Sequence, residues 1–135
     1  MSVDIEALVV AALKADTALD GLVDGRVSTE LPGDLDEHLP HVQLWSIPGG
    51  TYVRPEPLHL ERARLQVSVW ATTKGSAWDT ATAVVAAAAT MLGTYDLGVV
   101  TGVEVEQTPY WAPDPDTDTP RYLSTIGVFA HPIAA

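Results

Sequence analysis

Three alternating aspartates, Asp114-Pro115-Asp116-Thr117-Asp118, form the sharpest constellation of chemistry-bearing side chains in this sequence. Alternate carboxylates are how a calcium loop sets hard oxygen ligands around one ion. The EF-hand loop also needs Gly at its sixth position and Glu at its twelfth, where this chain has Thr119 and Thr125. The pattern therefore favours a solvated acidic turn stiffened by prolines over a metal site. His38, His41, His59 and His131 all fall at element ends, none at the i, i+4 spacing of a helical zinc pair, and there is no Cys to support them. His38 and His41 could meet through one turn, although a surface loop accounts for them as well. No Ser sits in a Gly-x-Ser-x-Gly elbow, and Lys74-Gly75-Ser76 has phosphate-loop residues in the wrong order. The expectation is a protein with no catalytic residue, no metal and no cofactor.

Two further groups are suited to contact. Arg62 and Arg64 share one strand face, and Glu104 and Glu106 share another. They read either as cross-strand ion pairs or as a subunit contact, where bidentate arginine is specific. Tyr110-Trp111, in a proline-rich stretch, suits an interface anchor, and Tyr52 in an earlier loop could play the same part.

The elements that must position these residues centre on His59–Leu92. Ala63, Leu65, Val67, Val69 and Ala71 occupy every second position, opposite Arg62, Arg64, Gln66 and Ser68, which is the period of a half-buried strand. Trp70 on the polar side predicts that the far end is covered too. Lys74-Gly75 reads as a turn, Ser76 as the N-cap of a helix and Gly93 as its C′ residue. The Ala83–Ala89 centre is apolar nearly all round, so this helix needs cover on more than one side. One sheet covers one side, and the alanine flank around Ala87 is expected near another subunit.

Before that unit, Ile5, Leu8, Val9, Ala12 and Leu13 mark an amphipathic helix, followed by a shorter helical turn from Asp16. Arg26–Glu30 reads as a short edge strand, Leu31–Pro40 as an acidic loop and His41–Ile47 as a strand ended by Pro48-Gly49-Gly50. After the helix come strands at Val99–Gln107 and Arg121–His131. Pro48–Leu58 and Thr108–Pro120 read as exposed excursions. The expected fold is α+β, a single domain over residues 1–135. In it an N-terminal helix and one long central helix pack on a mainly antiparallel sheet of four to five strands.

With 47% hydrophobic and 19% charged residues over 135 positions, the composition is that of a globular chain. A formal charge of −11 argues against general binding to nucleic acid or anionic membrane, which need a basic footprint. The start is acidic with no signal peptide evident, and the alanine-rich run is too short to span a bilayer.

The layout resembles the tail terminator (tail completion) proteins of long-tailed phages. The resemblance is carried by the N-terminal amphipathic helix, Pro32-Gly33-Asp34 and the strand His41-Val42-Gln43-Leu44-Trp45. It continues in Gln66-Val67-Ser68-Val69-Trp70-Ala71 beside an alanine-rich helix, and in Arg121-Tyr122-Leu123 after a loop rich in aspartate and proline. It implies a structural virion protein rather than an enzyme. Such a protein is assembled in the host cytoplasm and forms a hexameric ring at the neck that caps the tail tube and joins the head-side connector. DNA would pass through the ring without specific binding. The partners implied are further copies of the chain, the tail tube protein and a connector or stopper, with no membrane. Under that reading Asp34, Asp36, Glu37, Asp114, Asp116 and Asp118 are expected to line the channel. Another neck ring, a head-completion or stopper protein, is the alternative, and a small acidic metal- or ligand-binding domain is a further one.

Overall fold

In the computed structural model, residues 3–54 and 59–133 are described. The order is α1 (Ile5–Lys14), α2 (Thr17–Val23), β1 (Val27–Ser28), a 3₁₀ turn (Leu35–Glu37), β2 (His41–Arg54), β3 (Leu60–Trp70), α3 (Lys74–Ala89), β4 (Gly93–Tyr95), β5 (Gly98–Trp111) and β6 (Arg121–His131). The strands make one sheet of six in the order β1-β2-β3-β6-β5-β4, antiparallel except for β1 on β2. The class is therefore α+β, with six strands where four to five were expected. The short edge strand expected within Arg26–Glu30 is present as β1, and the strand not foreseen is β4. β1 joins β2 through Val27 and Ser28, and β4 joins β5 through a tight turn at Asp96-Leu97. Strands this short carry no periodic signal, because their pairing partner, not their own pattern, makes them strands.

Strand register explains the core. Val69, Val42 and Tyr122 align across the sheet, as do Leu65 with Ile126 and Ala63 with Val128, so alternate positions of every long strand fall on one face. That face meets Leu8, Val9 and Leu13 of α1, Leu19 and Val23 of α2, and Ala77, Ala81, Val84 and Ala88 of α3, all buried. The alternation in β3 and β6 thus stands as expected. In β5 it does not run clean: register shifts between Val100 and Gly102 and between Val105 and Gln107 put Val100 and Val103 on the same side. A bulge adds one residue to one strand only, which reverses the side on which every later residue falls.

Local caps fix the helices. The Asp4 carboxylate accepts from Ala7 N at 3.1 Å and that of Asp16 from Leu19 N at 2.9 Å. Thr73, rather than Ser76, caps α3: its Oγ1 accepts from Ser76 N at 3.1 Å, and Lys74-Gly75 becomes the first turn. The helix ends at Ala89, and Gly93 opens β4 with φ of 148° instead of forming a C′ cap. Among the described residues no helix is long and apolar enough to cross a membrane.

Candidate contact surfaces

Antiparallel hairpins send their connections to opposite ends of the sheet. β2 turns into β3 beyond Arg54, where Tyr52 aligns with Glu61; β5 turns into β6 between Ala112 and Pro120, where Trp111 aligns with Tyr122 and hence with Val69. Eight residues of β3 separate these levels, ~27 Å at strand rise. Tyr52 and the pair Tyr110-Trp111 therefore lie at opposite ends and share no surface. Tyr52 and the pair Tyr110-Trp111 are also strand residues rather than loop tips. β2 continues through Pro48 by an irregularity between Ile47 and Thr51, and β5 runs to Trp111 past Pro109 by another between Gln107 and Tyr110. Proline is tolerated there because the ladder is already broken. The Pro55–Leu58 part of the first excursion lies outside the described residues.

Because Tyr110 and Trp111 are consecutive strand residues, they face opposite ways. Tyr110 aligns with Leu123 on the face without helices and is 45% exposed; Trp111 turns to the helix side and is 40% exposed. Trp111 meets Tyr122 edge-on at 5.4 Å, and Tyr122 meets Trp78 of α3 in the same way, also at 5.4 Å. Lys74 Nζ stands 4.8 Å over the Trp111 ring. Trp78 touches Tyr122 of the sheet but keeps 46% of its surface exposed, and Leu92 lies outside the helix and exposed. Tyr52 is exposed and meets His59 edge-on at 5.1 Å.

The arginine–glutamate group forms within the chain. Arg62 Nη2 donates to Glu104 Oε2 at 3.3 Å and to Glu106 Oε2; Arg64 Nε donates to Glu106 Oε1 at 2.8 Å and its Nη1 to Pro48 O at 2.8 Å. These side chains sit on β3 and β5, with β6 between them. They meet over Gly127, where a Cβ would lie 2.7 Å from Glu106 Oε2 and 3.0 Å from Arg62 Nη2. The cross-strand reading thus holds within the subunit, bridging a strand rather than joining neighbours.

Ala87 is only 4% exposed in the chain itself. The second side of α3 is covered by α2, with help from α1, so the cover that the apolar helix requires comes from its own fold. A charged residue at 87 would strike folding first, which removes it as a clean probe of assembly.

Both acidic loops reach one end of the sheet, the end where His41, Trp70 and Arg121 align. Asp114 is turned inward. Its Oδ1 accepts from Asp116 N at 2.9 Å and its Oδ2 from Trp70 Nε1 at 3.3 Å, and Asp118 N donates to Asp114 O at 2.8 Å. The hydrogen bond from Asp116 N, then those from Trp70 and the charge of Arg121, hold the Asp114 carboxyl below the usual range. Arg121 stacks on Trp70 at 5.6 Å and donates to Ala112 O at 2.8 Å. This is a braced turn whose first carboxylate serves the turn itself. In the other loop Asp34 pairs with His38 at 3.0 Å, which lowers the Asp34 carboxyl. Ligand atoms of Asp34, Glu37 and His38 lie within 4.8 Å of one another, all three residues exposed. His41 Nε2 bonds Ser28 Oγ at 3.0 Å, while its buried Nδ1 has no partner among the described residues, and His38 bears on it through charge. Burial, then the charge of Arg26, pushes the His41 imidazole below its ordinary value.

Five of the seven Lys and Arg side chains are engaged within the chain, while Lys14 stays exposed. Arg26 donates to Pro40 O at 2.9 Å and Leu39 O at 3.3 Å, and Arg62, Arg64, Lys74 and Arg121 are held as described. Asp36, Asp79, Asp116 and Asp118 meet no cation among the described residues. The chain's negative charge is therefore left outward, at this end above all.

The solved structures that share this architecture come from phage-like particles. A chain of the virion of a native gene transfer agent particle aligns with a TM-score of 0.65 at 22% identity, covering 93% of each chain. The gp17 protein of bacteriophage SPP1 aligns with a TM-score of 0.53 at 17% identity, covering 97% of this chain and 91% of that one. At these identities the likeness shows the fold. No curated protein matches by sequence. The family description "Tail completion protein gp17" matches residues 7–125, nearly the whole sheet and all three α-helices. The chain therefore belongs to the gp17 family of tail completion proteins, which are structural components of the phage virion and not enzymes.

Proposed function

We propose that this tail completion protein acts as a tail terminator. Six copies form a ring that caps the tail tube, stops its growth and presents a surface to the head-side connector. The family match over residues 7–125 carries the reading. The formal charge of −11 and the engagement of five of the seven cations within the chain support it, since a ring through which DNA slides should not grip phosphate. Asp34, Asp36, Glu37, Asp116 and Asp118 are the proposed rim of the channel, with Asp114 bracing the turn that carries two of them. Tyr52 at one end of the sheet and Tyr110 and Trp111 at the other are the proposed contacts to neighbouring rings. Arg62 and Arg64 act within the subunit, by holding β3 to β5.

The test is made on particles. Without the protein, tails should grow past their normal length and fail to join heads, and native mass measurement of the purified ring should give six subunits. Tails of normal length in its absence would overturn the terminator role in favour of another neck ring. Reversing Asp36, Asp116 and Asp118 to lysine should leave rings intact and slow DNA ejection. Each added lysine steepens the salt dependence of DNA contact by about one unit of slope. An unchanged ejection rate with rings confirmed by microscopy would sink the channel assignment.

A further inference from the structure

Trp78 and Trp111 form a surface that the fold leaves unfinished. Both rings are held edge-on against the buried Tyr122, yet 46% of Trp78 and 40% of Trp111 remain exposed. Holding a large ring rigid while leaving it wet has a cost that burial would recover, and such rings are the anchors of protein contacts. The surroundings narrow the partner. Asp79 follows Trp78 on α3, and Asp116 and Asp118 stand in the turn after Trp111, none of them paired with a cation among the described residues. This same end already holds two cations against indole rings, Lys74 over Trp111 at 4.8 Å and Arg121 over Trp70 at 5.6 Å.

We infer that the Trp78–Trp111 surface docks an arginine-bearing face of another protein. A guanidinium is flat enough to stack on an indole and presents paired N–H groups to a carboxylate such as that of Asp79, the residue after Trp78 on α3. Lysine satisfies the charge but not the stacking plane. Phosphate is repelled by the aspartates, and a purely apolar partner would bury them unpaired. The place of this docking in a virion rests on the terminator reading, as the contact to an adjoining ring. The binding chemistry itself belongs to the single chain.

The experiment follows the indole Nε1–H signals of the isotope-labelled protein by NMR while acetyl-Gly-Arg-Gly-Arg-Gly-amide is added. The signals of Trp78 and Trp111 should shift and saturate, those of Trp45 and Trp70 should not, and the lysine peptide should bind several-fold more weakly. Asp79→Asn, which spares the fold, should weaken binding about tenfold, and Trp78→Ala should abolish it. No shift, equal shifts with the lysine peptide, or shifts with an oligothymidylate would each overturn the inference. So would signals that move with protein concentration alone, since these would make the surface a contact between copies. A ring of six that ignores arginine keeps the terminator reading and loses this one. A monomer that binds arginine does the reverse.

Discussion

The two ends of the sheet carry similar sequence material and differ in how it is tied down. At the β5–β6 end, Asp114 takes hydrogen bonds from Asp116 N and Trp70 Nε1, Arg121 stacks on Trp70, and His41 is buried against Ser28. At the β2–β3 end, Tyr52 stands 61% exposed with its ring edge-on to His59, whose Nε2 lies 3.2 Å from Glu61 Oε1, and Val3 N donates to the same oxygen at 2.8 Å. Proline, acid and aromatic residues occur at both. What separates them is the anchor each end has: Trp70, at 2% exposure, takes both Arg121 and Asp114 at the far turn. Acidity alone therefore says little about role. The Glu104 and Glu106 carboxylates hold the sheet together, Asp114 holds a turn, and Asp116 and Asp118 face outward.

The comparison breaks most visibly at Trp70. Trp70→Ala removes the ring under Arg121 and the donor to Asp114, and should cost about 3–5 kcal/mol in urea unfolding. A loss near zero would mean that the turn anchors itself. Asp114→Ala keeps the core and removes two hydrogen bonds, for an expected loss of about 1–2 kcal/mol. The same variant should speed amide exchange through Ala112–Thr119 while leaving β2 unchanged, and uniform acceleration would show that the two ends are not independent.

A subtler handle is pH. The unfolded chain protonates His41 near its ordinary value of about 6.5, whereas the folded chain resists until lower pH, so the unfolded state binds more protons in that window. Stability should fall as pH drops below about 6.5, and His41→Asn should flatten this dependence. A wild-type profile flat between pH 7.5 and 5 would contradict it. Asp34 and Asp114, with lowered values, act in the same sense but only below about pH 3.8, where protonation removes their contribution. The smallest effect belongs to the open end. Tyr52→Ala should lie within about 0.5 kcal/mol of wild type by thermal melting. A larger loss would reveal bracing there that equals the other end.

Much of this protein is determined by local sequence. The faces of β3 and β6, the stripe of α1, the caps at Asp4 and Asp16 and the covered end at Trp70 all follow from periodicity and capping, which neighbouring residues set among themselves. So does the acidic, non-catalytic character of Asp114–Asp118, because a missing Gly and Glu can be read directly. Only the tertiary structure decided the rest. The short strand β4 exists because β5 offered it an edge. Bulges in β5 changed which valines face the core. One further side of α3 was covered by α2, and Arg62 and Glu106 met because Gly127 left room between them. Each of these depends on residues far apart in the chain reaching the same place, and spacing along one segment carries no record of what lies across from it.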